Sequence, residues 1–273
     1  MAKRILAAAT FLVSVGASGP ALAAFDQPAP PAERTYWEVK WDDALCTLTR
    51  RHTGEHPVSF SLALAPTSRL LAVQLDFDGP ELETRGSKSK LDLLFSPGGE
   101  SLPLDFTVLH EGGRNNLIAF SNTSWLDRLA AARSIRFGAS GRFPVVELGD
   151  AAKAVTGLRA CLDDMLRAWG VDGAALDALR RLPDLDGPPA LGLPMAHLAR
   201  GQGGGQRRPL SRLEVTADGR VAACRVVLGS RGADTDSKIC DLWQRRARFR
   251  PALAADGRPV PATIIAEFIW KIP

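Results

Sequence analysis

Apolar and polar residues alternate with a period of two through much of the first half of the chain. Tyr36-Trp37-Glu38-Val39-Lys40-Trp41 and Val58-Ser59-Phe60-Ser61-Leu62 both alternate, and Leu71, Val73, Leu75 and Phe77 fall on one face of a third run. Turn residues separate these runs at Asp78-Gly79-Pro80, Ser96-Pro97-Gly98-Gly99 and Glu111-Gly112-Gly113. Short strands punctuated in this way predict an antiparallel sandwich or barrel from Thr35 to about Arg142. Ser124 to Ala132 predicts a short helix inserted between strands, with Ser124 as its cap. The period then changes. Val155, Leu158, Leu162, Met165 and Trp169 recur at steps of three and four, Asp150 stands at the N-cap position, and Gly170 is placed to end the helix in a left-handed turn.

From Asp172 to Pro209 the pattern breaks down. Pro183, Pro188, Pro189, Pro194 and the run Gly201-Gln202-Gly203-Gly204-Gly205 interrupt any long element, so residues 172–209 read as a linker with a helical turn or two at Ala174 to Leu182. The last segment is better patterned. Leu213-Glu214-Val215, the turn Ala217-Asp218-Gly219-Arg220 and Val221 to Leu228 predict a hairpin. Asp234 to Arg246 predicts a helix that buries Ile239, Leu242 and Trp243, and Thr263 to Ile272 alternates again. The fold class is therefore α+β. A β-rich domain (35–171) is closed by one helix, and a small antiparallel sheet with one helix (210–273) follows the linker.

The start of the chain changes the picture of where it works. Lys3 and Arg4 precede an apolar run from Ile5 to Gly16, then Gly19-Pro20 and Ala21-Leu22-Ala23, which is the three-part layout of a secretory signal peptide cleaved after Ala23. An uncleaved anchor is the competing reading, because the run can be extended to Phe25 and reach spanning length. Pro28, Pro30 and Pro31 make residues 24–34 an extended tether. The formal charge is +4, and +2 without Lys3 and Arg4, a mild excess that points to no nucleic-acid partner. Four cysteines in an exported chain predict two disulfides; of the three pairings allowed, the one within domains is Cys46–Cys161 with Cys224–Cys240.

The C-terminal segment resembles the C-terminal domain of the TonB energy transducers. The likeness rests on Asp218-Gly219-Arg220-Val221, the loop Gly229-Ser230-Arg231-Gly232, the helix end Arg245-Arg246-Ala247-Arg248-Phe249-Arg250-Pro251-Ala252 and the hairpin Asp256-Gly257-Arg258-Pro259-Val260-Pro261. It covers about a quarter of the chain, and several signatures occur in the family's order. The resemblance implies a periplasmic module that takes an extended peptide, such as a segment of an outer-membrane receptor, as an added strand on an exposed sheet edge. The chain departs from the transducer pattern in its cleavable N-terminus, its short Pro-rich segments with a folded domain between them, and the lack of an aromatic-Pro motif near Ala199 to Leu210. A periplasmic binding or adaptor protein is thus the first expectation. A membrane-anchored energy transducer is the second and a hydrolase with a site dispersed in sequence the third. The N-terminal segment has a fainter likeness, in its Trp-rich opening strand and Cys46, to small secreted β-proteins of the invasion-associated locus B type.

Two features remain as candidate partner contacts. On the last strand, Ile265, Glu267, Ile269 and Lys271 share the face opposite Ile264, Phe268 and Trp270. That face either offers an edge for a partner or a homodimer through the C-terminal domain, or is covered by Ala174 to Pro209 folding back. Arg245, Arg246, Arg248 and Arg250 form a cluster that suits an acidic partner, or a solvated helix end. Catalytic and cofactor patterns are missing. His52 and His56 are four apart, but Gly54 and Pro57 make their segment a loop, and Asp163 and Asp164 are adjacent on a helix and diverge. Gly138-Ala139-Ser140-Gly141 has the wrong spacing for a nucleophile elbow, and the Gly201 to Gly205 run follows no strand. No cofactor and no enzymatic activity are expected.

Overall fold

The computed structural model describes residues 35–42, 44–67, 70–82, 89–138, 142–186, 209–229 and 233–267. The signal segment, the tether 24–34, Gly187 to Arg208 and the end of the chain from Phe268, including Ile269 and Lys271, lie outside them. The described chain is mostly antiparallel sheet with a few helices, and none of those helices is long and apolar enough to cross a membrane.

Nine strands form one sheet in the first part: β1 (Thr35–Asp42), β2 (Leu45–His52), β3 (Val58–Leu64), β4 (Leu70–Asp78), β5 (Ser89–Ser96), β6 (Ser101–Glu111), β7 (Arg114–Asn122), β8 (Ser134–Phe137) and β9 (Val145–Glu147). Their order is β1-β2-β3-β4-β7-β6-β5-β8-β9, every pairing antiparallel. The hairpin between β6 and β7 closes through Gly112 and Gly113, both at positive φ (59° and 79°), which is the two-residue turn whose twist matches paired strands. The alternation read from sequence is real: Leu71, Val73, Leu75 and Phe77 are all at most 5% exposed and face the core. The registers align Arg50, Phe60, Leu75 and Leu117 across four strands, and Leu48, Leu62, Val73 and Ala119 beside them. Each large apolar side chain buried on that face contributes about 1.5–3 kcal/mol.

The sheet is curled into a half-barrel, and side chains draw its ends together where the backbone ladder does not. Arg50 on β2 donates from Nε to the Glu147 carbonyl (2.9 Å), and the Trp37 indole N–H donates to the Leu148 carbonyl (2.6 Å). The Arg50 guanidinium lies 5.5 Å from the centre of the Trp37 ring, and burial lowers its pKa while Asp150 partly offsets this. A short 3-10 turn leads into α1 (Leu126–Ala131), and α2 (Ala151–Ala168) follows β9. The cap of the first turn is Asn122, whose side chain accepts from the Ser124 N–H, so Ser124 lies inside the turn it was expected to cap. α2 begins after Asp150 and ends at Gly170 (φ +75°), as its periodicity indicated. Val155, Leu158 and Met165 fill the hollow of the sheet, and Cys161 is bonded to Cys46 on β2 with 6.0 Å between the Cα atoms.

The rest of the described chain surrounds a three-stranded sheet. Its elements are α3 (Gly173–Asp177), β10 (Asp184–Leu185), β11 (Leu210–Val215), β12 (Val221–Leu228), α4 (Ala233–Arg246), β13 (Phe249–Arg250), β14 (Ala252–Leu253), β15 (Pro259–Val260) and β16 (Ala262–Glu267). β11 lies in the middle, between β12 and β16. One face is covered by α4 through Ile239 and Trp243, and Cys224 on β12 is bonded to Cys240 on α4, Cα atoms 5.4 Å apart. Both disulfides thus match the within-domain pairing. The first half of the segment read as a linker is built into this module. Asp184 and Leu185 pair with Arg250 and Phe249, and Arg181 bridges Leu253.

Candidate functional site

The C-terminal module is organised around one close backbone approach. Gly219 sits in the β11–β12 turn at φ +81°, its carbonyl accepts from the Phe249 N–H (2.8 Å), and a Cβ there would lie 1.8 Å from the Phe249 carbonyl oxygen. Only glycine fits. Thr216 ties the same turn: its hydroxyl accepts from the Arg220 N–H (3.0 Å) and donates to Asp218. That hydroxyl, more than Arg220, holds the Asp218 carboxyl below its ordinary range. The Asp-Gly-Arg-Val signature is therefore a docking point for the chain that leaves α4. Asp256 plays a related local part in the β14–β15 turn, where the Arg258 backbone N–H (3.0 Å) and side chain lower its pKa.

Sheet edges are the surfaces such a module can offer an extended partner, because half of an edge strand's backbone groups point outward. The extended stretch 248–253 is already occupied by the chain itself: Asp186 N–H donates to the Arg248 carbonyl (2.7 Å), Leu253 N–H to the Arg181 carbonyl (2.9 Å) and Arg180 N–H to the Leu253 carbonyl (2.9 Å). β16 is different. Among the described residues it pairs only with β11, from Ala262 opposite Val215 to Glu267 opposite Leu210. Beside its first half lies a cleft of about 410 Å³ lined by Ala175, Leu176 and Leu179, by Val215, and by Pro261, Ala262 and Thr263.

The predicted contact residues separate on the structure. Ile265 is only 1% exposed. It packs with Leu166, Val171 and Leu210, and Leu176 borders the same cluster, so the face expected to carry a wet apolar strip is covered by the end of α2 and the start of the following segment. The cover comes mainly from Leu166 and Val171, ahead of the segment 174–209, of which Leu176 borders the cluster, and it removes Ile265 from the surface a partner can touch. Glu267 is half-buried at the end of β16. The arginines have separate local partners. Arg245 is bound to Asp241 one helical turn earlier, Arg250 to Asp184 on β10, and Arg248 donates to the Ala247 carbonyl (2.7 Å), while Arg246 is exposed. Three of the four are thus engaged locally.

Sequence reasoning missed two arginines that matter more. Arg212 on β11 donates to the Gly170 carbonyl (2.9 Å), and Arg225 on β12 donates to the Trp169 carbonyl (2.9 Å). Both meet the C-terminal carbonyls of α2, where a helix leaves acceptors unpaired and its dipole is negative. They dock the small sheet onto the helix of the large one. Nothing in their own spacing marks them, since their partners lie 42 and 56 residues away.

The half-barrel offers a second cleft, of about 580 Å³, at one end. Val58, Phe77, Leu82 and Phe143 give it an apolar floor, with His56, Asp78, Glu81 and Arg142 at the rim. Asp78 is engaged by Arg114, which also binds Asp76, and Asp76 above all raises the guanidinium pKa. His52 ends β2 and His56 lies in the following connection, so the two do not share a helix face. Among the described residues no three His, Cys, Asp or Glu side chains gather as metal ligands would.

Fold and site together define a class: a disulfide-bonded, mostly antiparallel β protein whose small terminal sheet docks on the helix of a curled larger one. No family model, no curated protein and no solved structure matches the chain.

Proposed function

We propose that this is an exported binding or adaptor protein of the periplasm, without enzymatic activity, whose residues 210–273 form a TonB C-terminal-like module. The partner is a protein or peptide that adds an extended segment to the outer edge of β16, with an outer-membrane receptor as the leading class. The observation that carries the reading is that edge: a strand that, among the described residues, is paired on one side only, next to a cleft lined by Leu176 and Leu179 that can take a side chain of the incoming segment. The order strand, strand, helix, strand, with the first strand in the middle of the sheet, supports it, as does the Asp-Gly-Arg turn on which Phe249 docks. Two disulfides support an oxidising compartment.

The test uses the exposed Ala175, on the cleft wall. The full chain is immobilised, outer-membrane and periplasmic extracts are passed over it, and captured proteins are cross-linked and mapped. Ala175→Trp fills the cleft without touching the core and is expected to lower capture at least tenfold, with cross-links in the wild type falling on β16. Undiminished capture by Ala175→Trp, or cross-links confined to residues 35–171, would overturn the reading.

A further inference from the structure

The outer edge of the nine-stranded sheet carries an unexplained surface. β1 is the outer strand of the nine-stranded sheet, and among the described residues it pairs only with β2, from Thr35 opposite His52 to Asp42 opposite Leu45. Of the five large apolar side chains exposed among the described residues, three lie on it: Tyr36 (43%), Val39 (40%) and Trp41 (52%). A solvated edge strand ordinarily avoids such a concentration, because its outward backbone groups invite pairing.

The sequence of β1 is self-complementary about Val39. Laid antiparallel on a second copy with Val39 opposite Val39, the strand sets Glu38 against Lys40 and Trp37 against Trp41, each twice. Trp37, Val39 and Trp41 share the face that bears Arg50, Leu48 and Cys46 on β2, so the aromatic contacts fall on one side and the ion pairs on the other. Other registers are penalised. A shift by two residues sets Glu38 opposite Glu38 or Lys40 opposite Lys40, and a shift by one turns the tryptophans to the charged face. The charges that would guard a lone edge are therefore placed to accept one partner in one register. In the single chain Glu38 is bound by Lys40 (3.1 Å) and Arg51 (3.3 Å), so pairing exchanges a Lys40 contact along the strand for one across it and leaves no charge unpaired.

We propose that β1 is a homodimerisation edge: two copies of this chain join through antiparallel β1 strands related by a two-fold axis at Val39, making one continuous sheet. An interface of this kind is isologous and closed. It uses a different strand edge from the one at β16, although the β1–β2 turn packs through Ala44 against the cluster that holds Ile265.

Sedimentation of the full chain tests it. The wild type is expected to approach twice the single-chain mass as concentration rises. Glu38→Lys and Lys40→Glu each set like charges opposite one another at two positions, and each is expected to weaken the dimer about tenfold or more. Mixing the two variants in equal amounts is the decisive measurement. The two lysines on β1 of one chain then face the two glutamates on β1 of the other. A heterodimer thus forms from two chains that are monomeric alone, an outcome no intrachain effect produces. Circular dichroism of each variant controls for loss of the Glu38–Arg51 pair. A wild type that stays monomeric to about 1 mM, a dimer indifferent to both substitutions, or no association on mixing would overturn the proposal.

Discussion

The two sheets reach a packed state by different means. The large sheet buries one broad face, with side chains from most of its own strands and from the helices α1 and α2. Leu, Val and Phe from eight neighbouring strands, together with Trp125, Leu126 and Leu129 around α1 and one face of α2, fill the hollow, and Trp125 is 1% exposed. The small sheet has three strands and too little area for that. It is covered on both faces by other elements, α4 through Ile239 and Trp243 on one side and the end of α2 on the other, where Ile265 meets Leu166 and Val171. Its remaining support comes from particular contacts: the Gly219–Phe249 approach, the two-residue ladder of β10 with β13, and a disulfide. A large sheet is held by area and a small one by positions, so single substitutions are expected to act very differently on the two.

The largest expected effect belongs to the Cys46–Cys161 bond, which closes a loop of 115 residues. In the chain-entropy account it is worth about 5 kcal/mol, against about 3 kcal/mol for Cys224–Cys240 with its separation of 16. Replacing Cys46 and Cys161 by serine should lower the transition of the large sheet, reported by Trp125. Replacing Cys224 and Cys240 should lower the one reported by Trp243. Urea unfolding of chains that keep, of the six tryptophans, Trp125 alone or Trp243 alone separates the signals. If both pairs of substitutions move one shared transition equally, the sheets form a single cooperative unit and the contrast between them fails.

Next in size is Gly219→Ala. Its added methyl meets the Phe249 carbonyl at 1.8 Å in a backbone conformation (φ +81°) that L-residues disfavour, and a cost of about 3 kcal/mol or more is expected, confined to the small sheet. Gly257→Ala is the internal comparison. Its φ is +86°, but the nearest atom outside its own turn, Arg180 Nη1, is 3.6 Å away, so it should cost only the conformational penalty of about 1–2 kcal/mol. The difference between the two measures the close approach itself. Equal losses would mean that Gly219 serves the turn alone.

Much of this was legible in the chain because it is local. Period-two alternation found β3 and β4, the three- and four-residue steps found α2 and its end at Gly170, and Asp-Gly and Gly-Gly pairs found the hairpins. The cysteine pairs followed from keeping each bond within its own region. What escaped depends on neighbours distant in sequence. Strand order, with β4 beside β7, is set by which strand returns, and alternation carries no mark of that. Ile265 read as a face open to water because its cover, Leu166 and Val171, lies about a hundred residues earlier on another element. Residues Arg180 to Asp186 pair with the 248–253 stretch in ladders of one or two residues, too short to carry a period. Proline-rich composition there signalled a linker, whereas Pro183 sits in an extended segment that tolerates it.

The smallest expected effect bears most directly on whether the two sheets act together. Arg212 and Arg225 make polar contacts between them, and each gives one charge-assisted hydrogen bond to a carbonyl at the end of α2. Bonds of this kind are worth about 1–2 kcal/mol each, less here because both donors reach solvent. Neither residue is needed inside its own sheet, although Arg212 also touches Glu214 at 2.8 Å. Replacing both by alanine should therefore leave the core of each sheet intact and loosen the seam between them. The Trp125 and Trp243 transitions should draw further apart than in the wild type, and amide exchange should rise at Trp169, Gly170 and Val171 while protection in β3 and β4 stays unchanged. Arg245→Ala serves as the control. Its bond to Asp241 is an exposed pair within one helix and should cost no more than about 0.5 kcal/mol. If the double alanine variant behaves like that control, the apolar cluster of Ile265, Leu166 and Val171 holds the seam by itself, and the arginines add only orientation.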